Sequence, residues 1–376
     1  MTDLITIKNL LTLQQAFGVG SNKCSKAFSK LCDLNRLGSD LSKCGDIFDK
    51  GDIDRINKVD KSVIDKIIED SNNNGIKIIT VCDKEFPDRL RNIPTPPILL
   101  FVLGDLPDID IEPLICIVGP RKPSEFGKKA AYSLSYRLAK AGMTVVSGAA
   151  IGCDSYAHNG ALKAGGKTIG VLGCGILSDY LPIQRELRRK IAENCCLISE
   201  LPPRDNGSKF SFPIRNRIMS GLCLGVIVVE AGEKSGALNT AKHANEQGRD
   251  VFVIPGNPTL ECYKGSNALL RDGARPLIDT SDIFGEYIGR FADKIDIERA
   301  FAKQETKNDN KKFTKKVVKS LSKSAEILYN HLDNQKFTAD DLTNCDLSYD
   351  EILSSLTELE IAGYIKSLPG GIYVTI

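Results

Sequence analysis

The chain has no tryptophan, only three histidines and 6% aromatic residues, and it carries almost no net charge. Its 50 Lys and Arg against 48 Asp and Glu leave +2 over 376 residues. Near-neutrality excludes a histone-like polycation and an acidic disordered tail protein, so a polyanionic partner would have to be met at a local site. Three histidines are too few for a histidine-rich metal cluster. No apolar run approaches the roughly 18 residues of a membrane span. The N-terminus, MTDLITIKNL, lacks the basic segment and apolar stretch of a leader. Cysteine is plentiful at twelve, but no CxxC pair occurs. Several cysteines sit inside apolar runs, such as Cys116 in LICIVG, where the residue acts as a small buried hydrophobe. This pattern, with no Cys/His pair at zinc-finger spacing, argues against a structural zinc, predicts no metal, and suits reduced thiols in a cytoplasm.

What is present is uneven. Residues 1–75 hold 11 basic and 11 acidic side chains, residues 301–323 eight Lys against two acids, and residues 324–376 two Lys against nine acids. The body between is mildly basic. Four parts are expected: a helical N-terminal domain (1–75), a central domain (76–290), a Lys-rich linker (291–323) and a C-terminal domain (324–376). In the head, two helical stretches flank Gly18-Val19-Gly20. Such a turn suits a SAM or helix-hairpin-helix arrangement, whose amides can meet a DNA phosphate, but the head's neutrality favours a plain helix–helix turn.

The central region alternates apolar runs (97–104, 114–119, 143–149, 167–173, 196–201, 224–231 and 250–256) with amphipathic stretches. Continuous Val, Ile and Leu runs are those of strands buried on both faces, which predicts a parallel, doubly wound α/β sheet with ligands at the carboxyl ends of its strands. The tail reads as three helices and a glycine-turn hairpin, a winged helix. Its last helical stretch contains Asp350, Glu351, Glu358 and Glu360 and no Lys or Arg, which suits a protein contact rather than duplex phosphates.

Glycine-containing loops follow several strands directly: 119–121, 147–149, 173–175, 230–232 and 255–256. Together they suggest one phosphate-binding cleft built from backbone amides. There is no Walker sequence and no GxGxxG followed by an acidic ribose ligand, so no dinucleotide cofactor is expected. The stretch KFSFPIRNRIMSGL (209–222) places Lys209, Arg215 and Arg217 beside Phe210 and Phe212. Cations with aromatic faces are what single-stranded nucleic acid needs, a backbone clamp and stacking platforms. An extended or turn conformation would point the two arginines together, and a helix would splay them. Core phenylalanines with arginines bridging the sheet edge are an equal alternative. Asp154 and His158, four apart, read as a structural pair orienting a loop. Glu230 ends an apolar strand and reads as a partner for Arg215 or Arg217. Ser235 reads as an N-cap.

These residues carry a resemblance. SGAAIGCDSYAHNGAL (147–162), the run from FPIRNR to VFVIPG (212–256) and KGSNALLRDGA (264–274) resemble the DNA-processing protein A family, also called Smf, over most of 80–280. The resemblance implies an extended Rossmann-like domain with a helical head and a winged-helix tail. It further implies single-stranded DNA binding without cofactor or catalysis, a homodimer, and delivery of the strand to the RecA recombinase during natural transformation. Carried over by motif, the DNA-binding set is Arg121, Ser147, Gly148, Lys209, Phe212, Arg215, Asn216, Arg217, Ser235 and Gly236. Pro120 departs from the family's Ser and removes an amide donor. Gln184, in YLPIQREL, stands for an Asn.

Two other function classes compete. A nucleotide N-glycoside phosphoribohydrolase would share the fold and could use the spacing of Arg215 and Met219, but EAGEKSGALNTA has no glutamate where the catalytic carboxylate should lie. A nucleotide-sensing adaptor would use the acidic tail as its docking surface.

Overall fold

The computed structural model describes residues 2–33, 36–301, 321–332, 337–342, 345, 347–362, 364–368 and 372–375. The expected Lys-rich linker lies outside the described residues over 302–320. The chain divides into two compact units, Met1–Ala302 and Lys303–Ile376.

The first unit opens with helices α1 (Leu4–Phe17), α2 (Asn22–Asp33), α3 (Lys50–Asn57) and α4 (Lys61–Asn73). Aspartates cap three of them: Asp3 accepts from the Thr6 amide, Asp49 from that of Asp52 and Asp60 from that of Ser62. Leu10, Leu11, Leu13 and Leu31 are fully buried. The turn between α1 and α2 has Gly18 at φ +82° and Gly20 at φ +66°, backbone that an L side chain rarely adopts. Gly20 is also pressed onto the body: a Cβ there would lie 2.5 Å from Ile214 Cγ2. The turn is thus a packing contact within the protein.

The body is a nine-stranded sheet in the order β1-β2-β6-β5-β4-β3-β7-β8-β9. The strands are β1 (Lys77–Thr80), β2 (Leu99–Gly104), β3 (Leu114–Val118), β4 (Thr144–Ser147), β5 (Thr168–Leu172), β6 (Cys196–Ser199), β7 (Gly225–Val228), β8 (Asp250–Val253) and β9 (Arg275–Pro276). β3 through β9 run parallel; β1 and β2 form an antiparallel edge. β2 thus departs from the parallel expectation. It is buried from Leu99 to Val102 like a parallel strand, so its burial pattern carries no information about its direction. The remaining helices of this unit are α5 (Asp88–Arg91), α6 (Glu125–Lys140), α7 (Cys153–Lys163), α8 (Arg185–Asn194), α9 (Ser211–Leu222), α10 (Gly236–Glu246), α11 (Lys264–Arg271), α12 (Ser281–Tyr287) and α13 (Ile297–Phe301).

Strand alternation builds two cores. Leu114, Cys116 and Val118 of β3 face one core with the head, α8, α9 and α10; Ile115 and Ile117 face the other with α6, α7 and α12. From β3 the chain winds outward through β4, β5 and β6, and then returns to place β7 on the other flank of β3. That reversal opens a crevice at the carboxyl ends of β3 and β7, where doubly wound sheets take ligands.

The second unit contains α14 (Lys323–His331), β10 (Phe337–Thr338), α15 (Tyr349–Ile361), β11 (Ile365–Leu368) and β12 (Ile372–Thr375), with sheet order β10-β12-β11. Leu328, Leu356 and Leu359 are fully buried between its elements. The second of the three expected tail helices, FTADDL (337–342), instead forms β10 and one 3₁₀ turn (Asp340–Leu342). The cause is local: the Asp341 carboxylate accepts from the Thr338 amide and hydroxyl, both at 2.8 Å, an alternative to the helix ladder.

Three acids of α15 tie this unit together. Glu351 accepts from the Ser348 amide and hydroxyl in a capping box, Glu358 from those of Ser322, and Glu360 from those of Ser367. These hydrogen bonds hold all three carboxyls below their ordinary 4.5. A depressed carboxyl stabilises above its unfolded pKa and loses that contribution as pH falls through its folded one. The thermal transition of this unit should therefore drop as pH falls below about 4.5, and less steeply in Glu358→Gln/Glu360→Gln; calorimetry from pH 6 to pH 3 (about the range in which carboxylates titrate) reads it.

Candidate nucleic-acid interface

The crevice is a cleft of about 1010 Å³. Its walls are the loops that leave β3 (119–121), β4 (148–151), β5 (173–174) and β7 (232–236), and its side is one face of α9, where Phe212, Arg215, Asn216 and Met219 share the helical spacing. The glycine loops expected to form one phosphate-sized site therefore do converge, except Gly256, which is filled by the Tyr263 ring.

The loop after β4 is the most constrained. Ala149 has φ +49°, a left-handed conformation costly for a residue with a Cβ. Three groups keep it there. His158 Nε2 accepts from the Ala149 amide (3.3 Å), Asp154 Oδ2 accepts from the Ala150 amide (3.4 Å), and the Ser155 hydroxyl donates to the Ala150 carbonyl (2.7 Å). Thr168 Oγ1 donates to the Val145 carbonyl, so it accepts from His158 Nδ1, which fixes the neutral tautomer. Burial, aided by Arg215, pushes His158 down to about 3. Asp154 and His158 thus orient a loop, as their spacing suggested, each through its own amide.

Arg215 closes this loop from below. It is buried and donates to the Gly148 carbonyl at 3.0 Å and to the Val171 carbonyl, while its Nε donates to Asn216 Oδ1 at 3.2 Å. Burial lowers its pKa, opposed by Asp154; burial raises that of Asp154, opposed by Arg215. A Cβ at Gly148 would lie 2.6 Å from both Arg215 Nη2 and Asp154 Oδ2, so any larger residue would have to displace one of them. Asn216 reaches the Gly236 carbonyl at 3.4 Å, and Ser235 caps α10 by accepting from the Ala237 amide. Gly236 is open, with nothing near the place of a Cβ.

Two expected residues lie elsewhere. Arg217 is not in the cleft. Residues 211–222 are helical, so Arg217 points about 200° away from Arg215 and makes a buried ion pair in which its Nη2 donates to both carboxylate oxygens of Glu200, at 2.8 and 2.9 Å. Glu200 is also where the head attaches, its carbonyl accepting from Gln14 Nε2 at 2.9 Å. Ser147 is fully buried with its hydroxyl donating to the Ile117 carbonyl of β3, which leaves it no hydroxyl for a ligand. Glu230 likewise departs from the expected arginine pairing. Its buried carboxylate accepts from the Ser124 amide and hydroxyl and from the Tyr263 hydroxyl, which ties the end of β7 to the start of α6.

The solvent side of the cleft carries three exposed cations on three different loops, Arg121, Lys209 and Lys234. Arg121 lies 5.8 Å over the Phe212 ring, which packs against Tyr180 at 4.9 Å, and Lys209 lies 5.1 Å over the exposed Phe210 ring. Lys234 and the buried Arg188 also line the cleft and were not anticipated. Both stand inside charge-rich runs, GEK and RELRRK, in which charge alone does not mark a cleft position.

Comparisons with known proteins bear on this geometry. The family described as DNA recombination-mediator protein A matches residues 77–288, and the DprA winged helix domain matches 316–371. The DNA processing protein DprA of Bacillus subtilis is 40% identical over 212 residues, 56% of this chain and 71% of the relative. The X-ray structure of DprA from Streptococcus pneumoniae superposes with a TM-score of 0.67 at 31% identity, covering 74% of this chain and 97% of that one. DNA processing protein A from Helicobacter pylori, a structure concerned with a single-stranded DNA binding mode, gives 0.52 at 28% identity over 57% and 98%.

The Arg217–Glu200 ion pair on the head side of α9 makes a prediction of its own. Glu200→Ala leaves Arg217 buried without a countercharge and should lower unfolding free energy by about 3–5 kcal/mol, read by chemical denaturation of the full chain.

Proposed function

The chain belongs to the DNA recombination-mediator protein A family, and on that premise we propose that it binds single-stranded DNA in the cleft at the β3–β7 reversal and delivers the strand to the RecA recombinase. The observation that carries the DNA reading is the placement of three exposed cations and two aromatic rings, Phe212 and Tyr180, around one rigid set of strand-end loops. Phosphates would be met by Arg121, Lys209 and Lys234 and by the α10 amides beyond Ser235 and Gly236, with bases against Phe212 and Tyr180. Arg215, Gly148 and Asn216 would shape the floor. In this reading Arg217 and Ser147 act through the fold alone. The single-stranded DNA binding of the Helicobacter pylori neighbour supports single-stranded DNA as the ligand. Asp154, the carboxylate lining the cleft, is engaged by the Ala150 amide and the Arg215 charge, which supports binding over hydrolysis.

The RecA arm of the proposal rests on α15. Tyr349, Leu353 and Ile361, spaced along one helical face, are 49%, 40% and 84% exposed, and the helix carries no cation. An apolar stripe with acidic neighbours suits a protein surface better than a phosphate backbone. A homodimer, implied by family resemblance, would raise the affinity of a site with few phosphate contacts.

Two measurements test the proposal. Fluorescence anisotropy with oligo-dT, titrated over salt with duplex competitor, should show single-strand preference. Arg121→Ala, Lys209→Ala and Lys234→Ala should each weaken binding and each lower the salt slope by about 0.7, at unchanged melting temperature. Duplex competing as well as single strand would overturn it. For the second arm, Leu353→Asp/Ile361→Asp should leave oligo-dT affinity unchanged and slow RecA filament formation on the strand that this protein has bound; an unchanged rate would remove α15 from the assignment.

A further inference from the structure

A second cleft, of about 630 Å³, adjoins the first across Tyr180 and Leu181, residues that line both. Its walls are mixed. Leu103, Ile176, Leu177 and Leu197 supply apolar surface, and four arginines stand around it. Three of these are neutralised within the protein: Arg185 by Asp179 at 2.8 Å, Arg189 by Glu186 at 2.7 Å and Arg204 by Asp70 at 2.9 Å. The fourth, Arg188 of α8, is different. It is only 8% exposed, it has neither a hydrogen bond nor an ion pair among the described residues, and its Nε is fully buried and unsatisfied. It also lines both clefts.

An arginine taken out of water without a countercharge is a costly arrangement, and it persists where an anion is supplied from outside. The guanidinium is a planar fork suited to phosphate oxygens. A buried cation and an aromatic ring that both line the two clefts, with a partly apolar chamber beyond, match one nucleotide step: a phosphodiester at the cation and a base in the chamber.

We propose that the second cleft receives the next nucleotide of the strand bound in the first, with Arg188 binding the phosphodiester between them. This rests on the DNA reading of the first cleft and extends it. The Tyr180–Leu181 ridge separates two successive bases, and Arg188 is a binding residue that neither composition nor motif resemblance marks.

The test uses the full chain and a long oligo-dT. Arg188→Gln should weaken binding about tenfold and lower the salt slope by about 0.7. Ala192→Trp, on α8 in the wall of the second cleft only, should fill the chamber and weaken binding at least about fivefold, with no change in the slope. An oligonucleotide carrying 4-thiothymidine should crosslink to the unmodified protein within 176–193. The proposal is overturned if both variants bind as the unmodified chain does, or if crosslinks map only to the first cleft. If Arg188→Gln fails to fold, Ala192→Trp and the crosslink decide. Binding that responds to Arg121→Ala but not to these variants would sink this site and leave the first cleft standing. No binding of oligo-dT by the unmodified chain would sink both. Binding of dTMP that Ala192→Trp abolishes, with oligo-dT affinity untouched, would make the chamber a free-nucleotide site and overturn the strand reading.

Discussion

The helical register of α9 is the constraint from which the rest of the first unit follows. Two arginines two residues apart on a helix face nearly opposite ways. One, Arg215, therefore stitches the β4 and β5 loop ends together beneath the cleft, and the other, Arg217, meets Glu200 on the side where the helical head docks. Head and cleft share a single element. A change in the pitch or tilt of α9 would be felt at both. Ile214, immediately before Arg215, completes the arrangement by seating the Gly20 turn.

The chemistry of the cleft is divided between depth and surface. Its floor holds charged and titratable groups whose capacity is already used: His158 neutral by burial, Asp154 on a loop amide, Arg215 on carbonyls. These set the left-handed turn at Ala149 and the open backbone around it. The rim holds cations free to meet solvent or ligand, each on a loop from a different strand. In the proposed DNA reading, rigid floor and adaptable rim would together recognise a polyanion by shape and charge, with little information about sequence.

Much of this was legible in the sequence, and the failures have physical causes. The seven apolar runs became strands because burial on both faces forces continuous hydrophobic residues, but the same feature hid the antiparallel direction of β2, and β1 is too short and half-exposed to stand out. The glycine loops converged because they follow parallel strands and so share one sheet edge. The conformation of the arginine pair stayed open in the sequence, since Pro213 lies just before it. Proline there suggests extended chain, yet in the first turn of a helix its missing donor costs nothing. Ser147 and Glu230 carry polar groups at strand ends, where sequence cannot distinguish a group facing the ligand from one facing the neighbouring strand. Arg188 was invisible for the opposite reason: a buried cation inside RELRRK looks like its exposed neighbours.

The contact between Gly20 and Ile214 has an evolutionary side. Position 20 is restricted twice, by a backbone angle that disfavours any side chain and by a neighbour standing where a Cβ would be. Position 214 is restricted only by packing. Descendants of this chain can shorten the isoleucine and accept a small void, but they cannot enlarge the glycine first. The order in which the two substitutions are tolerated runs one way, so that a residue in the helical head depends on the history of one nearly two hundred positions later in the chain.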